Sequence, residues 1–148
     1  MTTMQNYAEI TRFFEAHELD NATFRHADHV RVAHDLLCKY DFTDAVAIYA
    51  KGIKTLAAKA GAPQKFNTTI TYAFMSLIAE RMATAGTSDF DSFVSENPDL
   101  MSKNALGNLY TSDRLQSDLA RRIFLLPTTQ GDAPVTANQK PSLGVQPA

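Results

Sequence analysis

One cysteine, Cys38, is all that this chain of 148 residues contains. An intramolecular disulfide is therefore excluded, and a reducing compartment is expected. No block of basic residues occurs, and a formal net charge of -2 supplies no positive face for phosphates, so nucleic acid is not an expected partner. No apolar run approaches the roughly 20 residues that cross a bilayer. Met1-Thr2-Thr3-Met4-Gln5-Asn6 has neither the charged nor the apolar region of a secretory signal. The expectation is a cytoplasmic protein with no membrane partner. Nucleophile-elbow, Walker, dinucleotide and CxxC signatures are all missing, so no reaction type is named and enzymatic activity stays open.

What is present is apolar spacing of three and four, with no sustained alternation of period two. This predicts an all-α, single-domain helical bundle of four main helices followed by shorter C-terminal ones. The first helix is expected over residues 4 to 17, with Tyr7, Ile10, Phe13, Phe14 and His17 on one side. The second runs from His26 to Tyr40. The third is capped by Asp41-Phe42-Thr43-Asp44, carries Ala45, Ile48, Tyr49, Ile53 and Leu56, and stops at Gly61-Ala62-Pro63. The fourth spans Asn67 to Ala85, turns Ile70, Thr71, Phe74, Met75, Ile78 and Met82 inward, and stops at Gly86. A small helix around Phe90–Val94, a turn at Asn97-Pro98-Asp99 and a last helix from Asp113 to Phe124 complete residues 1–126 as one domain. Pro127, Pro134, Pro141 and Pro147 punctuate residues 127–148, which read as a disordered tail.

Phe24-Arg25-His26-Ala27-Asp28-His29-Val30 is the most informative stretch. His26 and His29 sit within about 60° of each other on the apolar side of the second helix. Arg31, Asp35, Cys38 and Lys39 form the opposite, solvated face, and His34 lies toward the flank, about 140° from His29. Asn67 and Thr71 share the core stripe of the fourth helix. If the two helices pack together, His26, His29, Asn67 and Thr71 line one polar pocket, and the helix N-termini there favour an anion.

Three readings of this constellation are open. The histidines are core residues satisfied by protein partners, with Asn67 as a helix cap; or the four residues hold a small polar molecule; or His26 and His29 bind a divalent transition metal. A zinc site wants three or four protein ligands, and His17, Glu15 and Glu18 are the nearest candidates for a third. The competing description of the whole protein is a non-catalytic structural or interaction domain that forms a homo-oligomer. Cys38 has no identifiable partner for nucleophilic chemistry. Arg114, Arg121 and Arg122 share a solvated face with Asp118, while Tyr110, Ser112 and Arg114 are candidates to fold over the pocket mouth.

Two blocks, Phe24–Ala33 and Lys65-Phe66-Asn67-Thr68-Thr69-Ile70-Thr71-Tyr72-Ala73, resemble the F-x-H-x-D-H-V-R-x-A-W and K-Y-H-E-T-x-T-x-A patterns of a family of small uncharacterised bacterial helical proteins. Asn97-Pro98-Asp99-Leu100 and Leu115–Phe124 fit its C-terminal part. The resemblance implies a shared pocket in which a His-Glu pair at the start of the second block faces the two histidines. This chain departs there, with Asn67 and Thr68 in place of the pair and His34 in place of the tryptophan. With those substitutions, a metal site of the resembled family is expected here to be either lost or repurposed for a neutral polar ligand.

Overall fold

The computed structural model describes residues 8–85 and 89–128. Among them the chain forms α-helices and 3-10 turns and no strand. The helices are α1 (Glu9–Glu15), α2 (His26–Lys39), α3 (Phe42–Lys59), α4 (Thr68–Ala85), α5 (Phe90–Glu96), α6 (Ser112–Leu115) and α7 (Asp118–Arg122). Short 3-10 turns occupy Asn21–Thr23, Pro63–Lys65 and Pro98–Met101. The all-α expectation holds, but only three helices are long. The expected first helix over residues 4 to 17 is a helix of 7 residues, and its N-terminal part lies outside the described residues. No helix among the described residues is long and apolar enough to cross a membrane.

Local chemistry sets the boundaries of the long helices. The Asp28 carboxylate accepts the Arg25 N–H at 2.9 Å, starting α2 at His26. Asp41 accepts the Asp44 N–H at 3.0 Å at the head of α3, and Gly61, at φ +75, lets the chain leave it. Asn67 Oδ1 accepts the Ile70 N–H at 2.9 Å at the head of α4. The expected stop at Gly86 lies outside the described residues, as does the expected tail beyond Thr128. The expected helix from Asp113 to Phe124 is instead two short ones. Ser117 divides them, because its hydroxyl donates to Arg114 O at 2.8 Å and accepts the Ala120 N–H at 3.1 Å, ending α6 and capping α7.

The core is built around α2, against which α1, α3, α4 and the Pro98–Met101 turn pack. Val30, Val32, Ala33, His34, Asp35 and Leu36 are all buried, so the helix is enclosed on more than one side. The solvated face expected for α2 is thus only partly solvated. Asp35 and His34 are each 1% exposed, because α1 lies over the first and the Phe90 and Phe93 rings of α5 lie against the second. Cys38 and Lys39 are exposed as expected. His17, expected on the apolar side of the first helix, is exposed beyond the end of α1 at φ +61.

A second cluster of Ala73, Leu106, Tyr110, Ala120 and Leu125 packs the C-terminal segment against α4. Tyr110 belongs to this cluster and not to the pocket mouth, and its hydroxyl donates to Leu125 O at 2.8 Å. Arg114 likewise turns to the C-terminal segment, donating to Leu126 O at 2.8 Å.

Gly52 of α3 faces the buried Phe14 ring of α1, and a Cβ there would fall within that ring's contact envelope. Helix propensity alone favours Ala over Gly by about 1 kcal/mol. Overpacking is the larger effect, so Gly52→Ala is expected to destabilise the fold by about 1–2 kcal/mol in urea denaturation. Adding Phe14→Leu should recover part of that loss; a Gly52→Ala variant as stable as the parent would contradict this packing.

Candidate functional site

Where the N-terminal half of α2 meets α3 and the start of α4, the packing leaves a cavity of about 600 Å³. That volume lies within the range of small-molecule sites. All four residues singled out by helical spacing, His26, His29, Asn67 and Thr71, are among those that line it. Most of the remaining wall is apolar, with Phe24, Ile53, Leu56, Phe66, Ile70 and Phe74 contributing the larger side chains.

The two imidazoles are fixed by different partners. His26 Nε2 lies 3.0 Å from Leu100 O, and since a carbonyl only accepts, Nε2 carries the proton. His26 Nδ1 has no partner among the described residues. His29 Nδ1 lies 3.1 Å from the hydroxyl of Tyr49, which is buried and has no other partner among the described residues. An enclosed O–H without an acceptor is costly, so Tyr49 donates to Nδ1. The proton of neutral His29 then resides on Nε2, leaving a donor with no protein partner beside the cavity. Burial raises the Tyr49 phenol above its ordinary value and keeps it protonated. Burial, with the neighbouring His26 adding to it and Asp28 opposing, lowers His29 to about 4.

Asn67 and Thr71 are largely engaged in holding the fold. Asn67 caps α4 through Oδ1 and donates from Nδ2 to Leu115 O at 2.7 Å. Thr71 donates to Asn67 O at 2.8 Å. The core-and-cap reading therefore describes these two residues, whereas the imidazoles retain unused polar atoms.

The donor set does not fit a metal. Among the described residues no three or more His, Cys, Asp or Glu side chains gather where they could hold an ion. His26 and His29 have ring centroids 6.3 Å apart, and one nitrogen of each is already hydrogen-bonded. His17, Glu15 and Glu18 are not part of the cavity wall.

The other half of α2 carries a polar network that helical spacing missed. Asp35 Oδ2 accepts from the Thr11 hydroxyl at 2.7 Å and from the Ala8 N–H at 2.9 Å, and Arg31 Nε lies 3.2 Å from both carboxylate oxygens. His34 Nδ1 stands 4.0 Å from Asp35 Oδ1 and 3.8 Å from Cys38 Sγ. Burial works against a charge on His34, but the Asp35 carboxylate and the Cys38 sulfur outweigh it and raise its pKa to about 9. His34 Nε2 has no hydrogen-bond partner among the described residues, and the imidazole lies against the Phe90 and Phe93 rings, with centroids at 5.3 and 5.0 Å. Burial raises Asp35, but the adjacent His34 imidazole, the hydrogen bonds from Thr11 and Ala8 and the charge of Arg31 bring it below the usual carboxylate range.

Spacing also missed polar residues at the cavity itself: Tyr49, which it placed only in the core, and Asn21, Lys65, Ser102 and Lys103. Lys65 stands just before α4, so its position by the cavity follows from the same packing as Asn67. Lys103 arrives from a distant turn and has no local signal. No protein-family model, curated protein or solved structure matches this chain.

Half-buried His29 and fully buried His34 together predict a stability maximum near pH 6.5. His29 is harder to protonate folded than unfolded, so stability falls as pH drops from about 6.5 to about 4. His34 holds its proton more tightly when folded, so its contribution is complete below about 6.5 and is lost as pH rises through about 9. Each limb is on the order of 3 kcal/mol at most. Urea melts across this range should show both limbs, with His29→Gln flattening the acid one and His34→Gln the alkaline one; a pH-independent midpoint would refute both assignments.

Proposed function

We propose that this protein is a small-molecule-binding domain whose site is the cavity between α2, α3 and α4. The supporting observation is the company that His29 keeps. A neutral imidazole with an unused Nε2–H sits on a mostly apolar cavity of about 600 Å³, a combination suited to enclosing an organic molecule and orienting it by one or two polar contacts. The wall contains no carboxylate and no cysteine, so neither histidine has the acidic partner or thiol that would suggest general-base or nucleophilic chemistry there. The reading is binding.

A structural role is the second reading for one wall alone. Asn67 and Thr68 occupy the positions where the pattern resembled by this chain carries His and Glu. Asn67 holds Leu115 O, and the Thr68 hydroxyl donates to Arg121 O at 2.9 Å. In this protein those positions fasten the C-terminal segment, which supports a pocket bounded by them over one in which they supply ligand contacts.

An uncharged fluorescent probe tests the cavity directly. N-phenyl-1-naphthylamine should brighten on addition of the protein, and Ala57→Phe, which fills the cavity from α3, should weaken its binding at least about tenfold with little change in Tm. No enhancement, or enhancement unaffected by Ala57→Phe, would overturn the proposal.

A further inference from the structure

The charged side chains that line this cavity, apart from its histidines, are both lysines. Lys65, from the Pro63–Lys65 turn, and Lys103, from the turn after Met101, are both exposed and both line it, which places them at its mouth. Neither has a carboxylate partner among the described residues, and no Asp or Glu lines the wall. Lys54 stands 5.3 Å from the centroid of the Phe66 ring, another wall residue, and adds to the positive potential. The other described lysines with partners differ: Lys39 lies 3.7 Å from Glu15, and Lys59 donates to His17 O at 2.7 Å.

Two cations without counterions next to an apolar cavity select against a cationic occupant. The interior selects against a compact, fully hydrated anion such as inorganic phosphate, because Phe24, Ile53, Leu56, Ile70 and Phe74 would meet none of its oxygens. An occupant satisfying both halves has an apolar body and one negative end. The Nε2–H of His29 adds a donor that an oxygen acceptor would complete, and His29 stays neutral, so the lysines are the charges available to an anion.

We infer that the ligand is an organic carboxylate, its hydrocarbon part against the apolar wall and its charged end met by Lys65 and Lys103. This rests on the cavity being a binding site as proposed above. Two copies of the same scaffold, one charged and one not, separate the two claims.

Benzoate, 2-naphthoate and octanoate, each titrated beside its own primary amide by calorimetry, supply the matched pairs. At least one acid should bind about tenfold or more tightly than its amide, and the gap should shrink in 1 M NaCl. Lys65→Gln combined with Lys103→Gln should close the gap while leaving uptake of N-phenyl-1-naphthylamine intact. Amides that bind as tightly as their acids would overturn the carboxylate assignment while the cavity reading stands. Absence of both probe uptake and acid binding would overturn both.

Discussion

Asp35 is a carboxylate sealed inside a small helical protein, and its demand for donors organises the packing around it. An ionised side chain without water is costly unless several hydrogen bonds and an opposite charge replace the lost hydration. Arg31 comes from the same helix, but the Thr11 hydroxyl and the Ala8 N–H come from α1 and must be brought to it. The N-terminus of a helix presents N–H groups that lack partners, so α1 and Asp35 each supply what the other is missing. With α1 docked in that orientation, Phe14 reaches Gly52 and Tyr49, and the core closes around α2.

α2 therefore holds two histidines in opposite electrostatic settings. His29 is near another imidazole and an un-ionised phenol, with Asp28 as its opposing influence, and burial keeps it neutral. His34 lies beside a carboxylate and between aromatic rings, so the same kind of enclosure leaves it charged. Burial disfavours the charged form of both; at His34 the adjacent carboxylate and sulfur overcome it, and at His29 Asp28 does not. Along the helix this separates a cavity end with a neutral imidazole from an end where Asp35 and His34 are buried side by side.

The parts of this arrangement legible in the sequence are those determined by local chemistry. Asp41 and Gly61 bracket α3, Asn67 marks the start of α4, and the apolar period places His26 and His29 on the same side of α2. The failures share a cause. A helical wheel assigns charged residues to water, which works for a helix with one buried stripe but not for α2, where Asp35 and His34 are enclosed by elements distant in sequence. Seven residues of α1 suffice to bury a carboxylate, and so short an element carries little periodic signal. Residue type also overstated the pocket's polarity. Asn67 and Thr71 line it, but their hydrogen bonds run to backbone groups that the sequence does not pair with them.

Those backbone bonds explain how the cavity keeps its shape. Three consecutive side chains at the start of α4 each hold a carbonyl of the C-terminal segment: Asn67 takes Leu115 O, Thr68 takes Arg121 O, and Thr69 takes Ile123 O while accepting the Leu125 N–H. Thr69 is fully buried in doing so. The segment they secure is made of two very short helices that would not persist alone, since nucleating a helix costs more than a single turn returns. Fixed by these bonds and by Tyr110, it braces the start of α4 from the outside while Asn67, Ile70 and Thr71 face the cavity from the same helix. A pocket wall held in this way is preorganised, so a ligand need not supply the ordering free energy that a mobile wall would demand. The residues that look polar in the pocket thus contribute by positioning its wall; under the binding function proposed above, contacts to a ligand would fall to His29 and the lysines at its mouth.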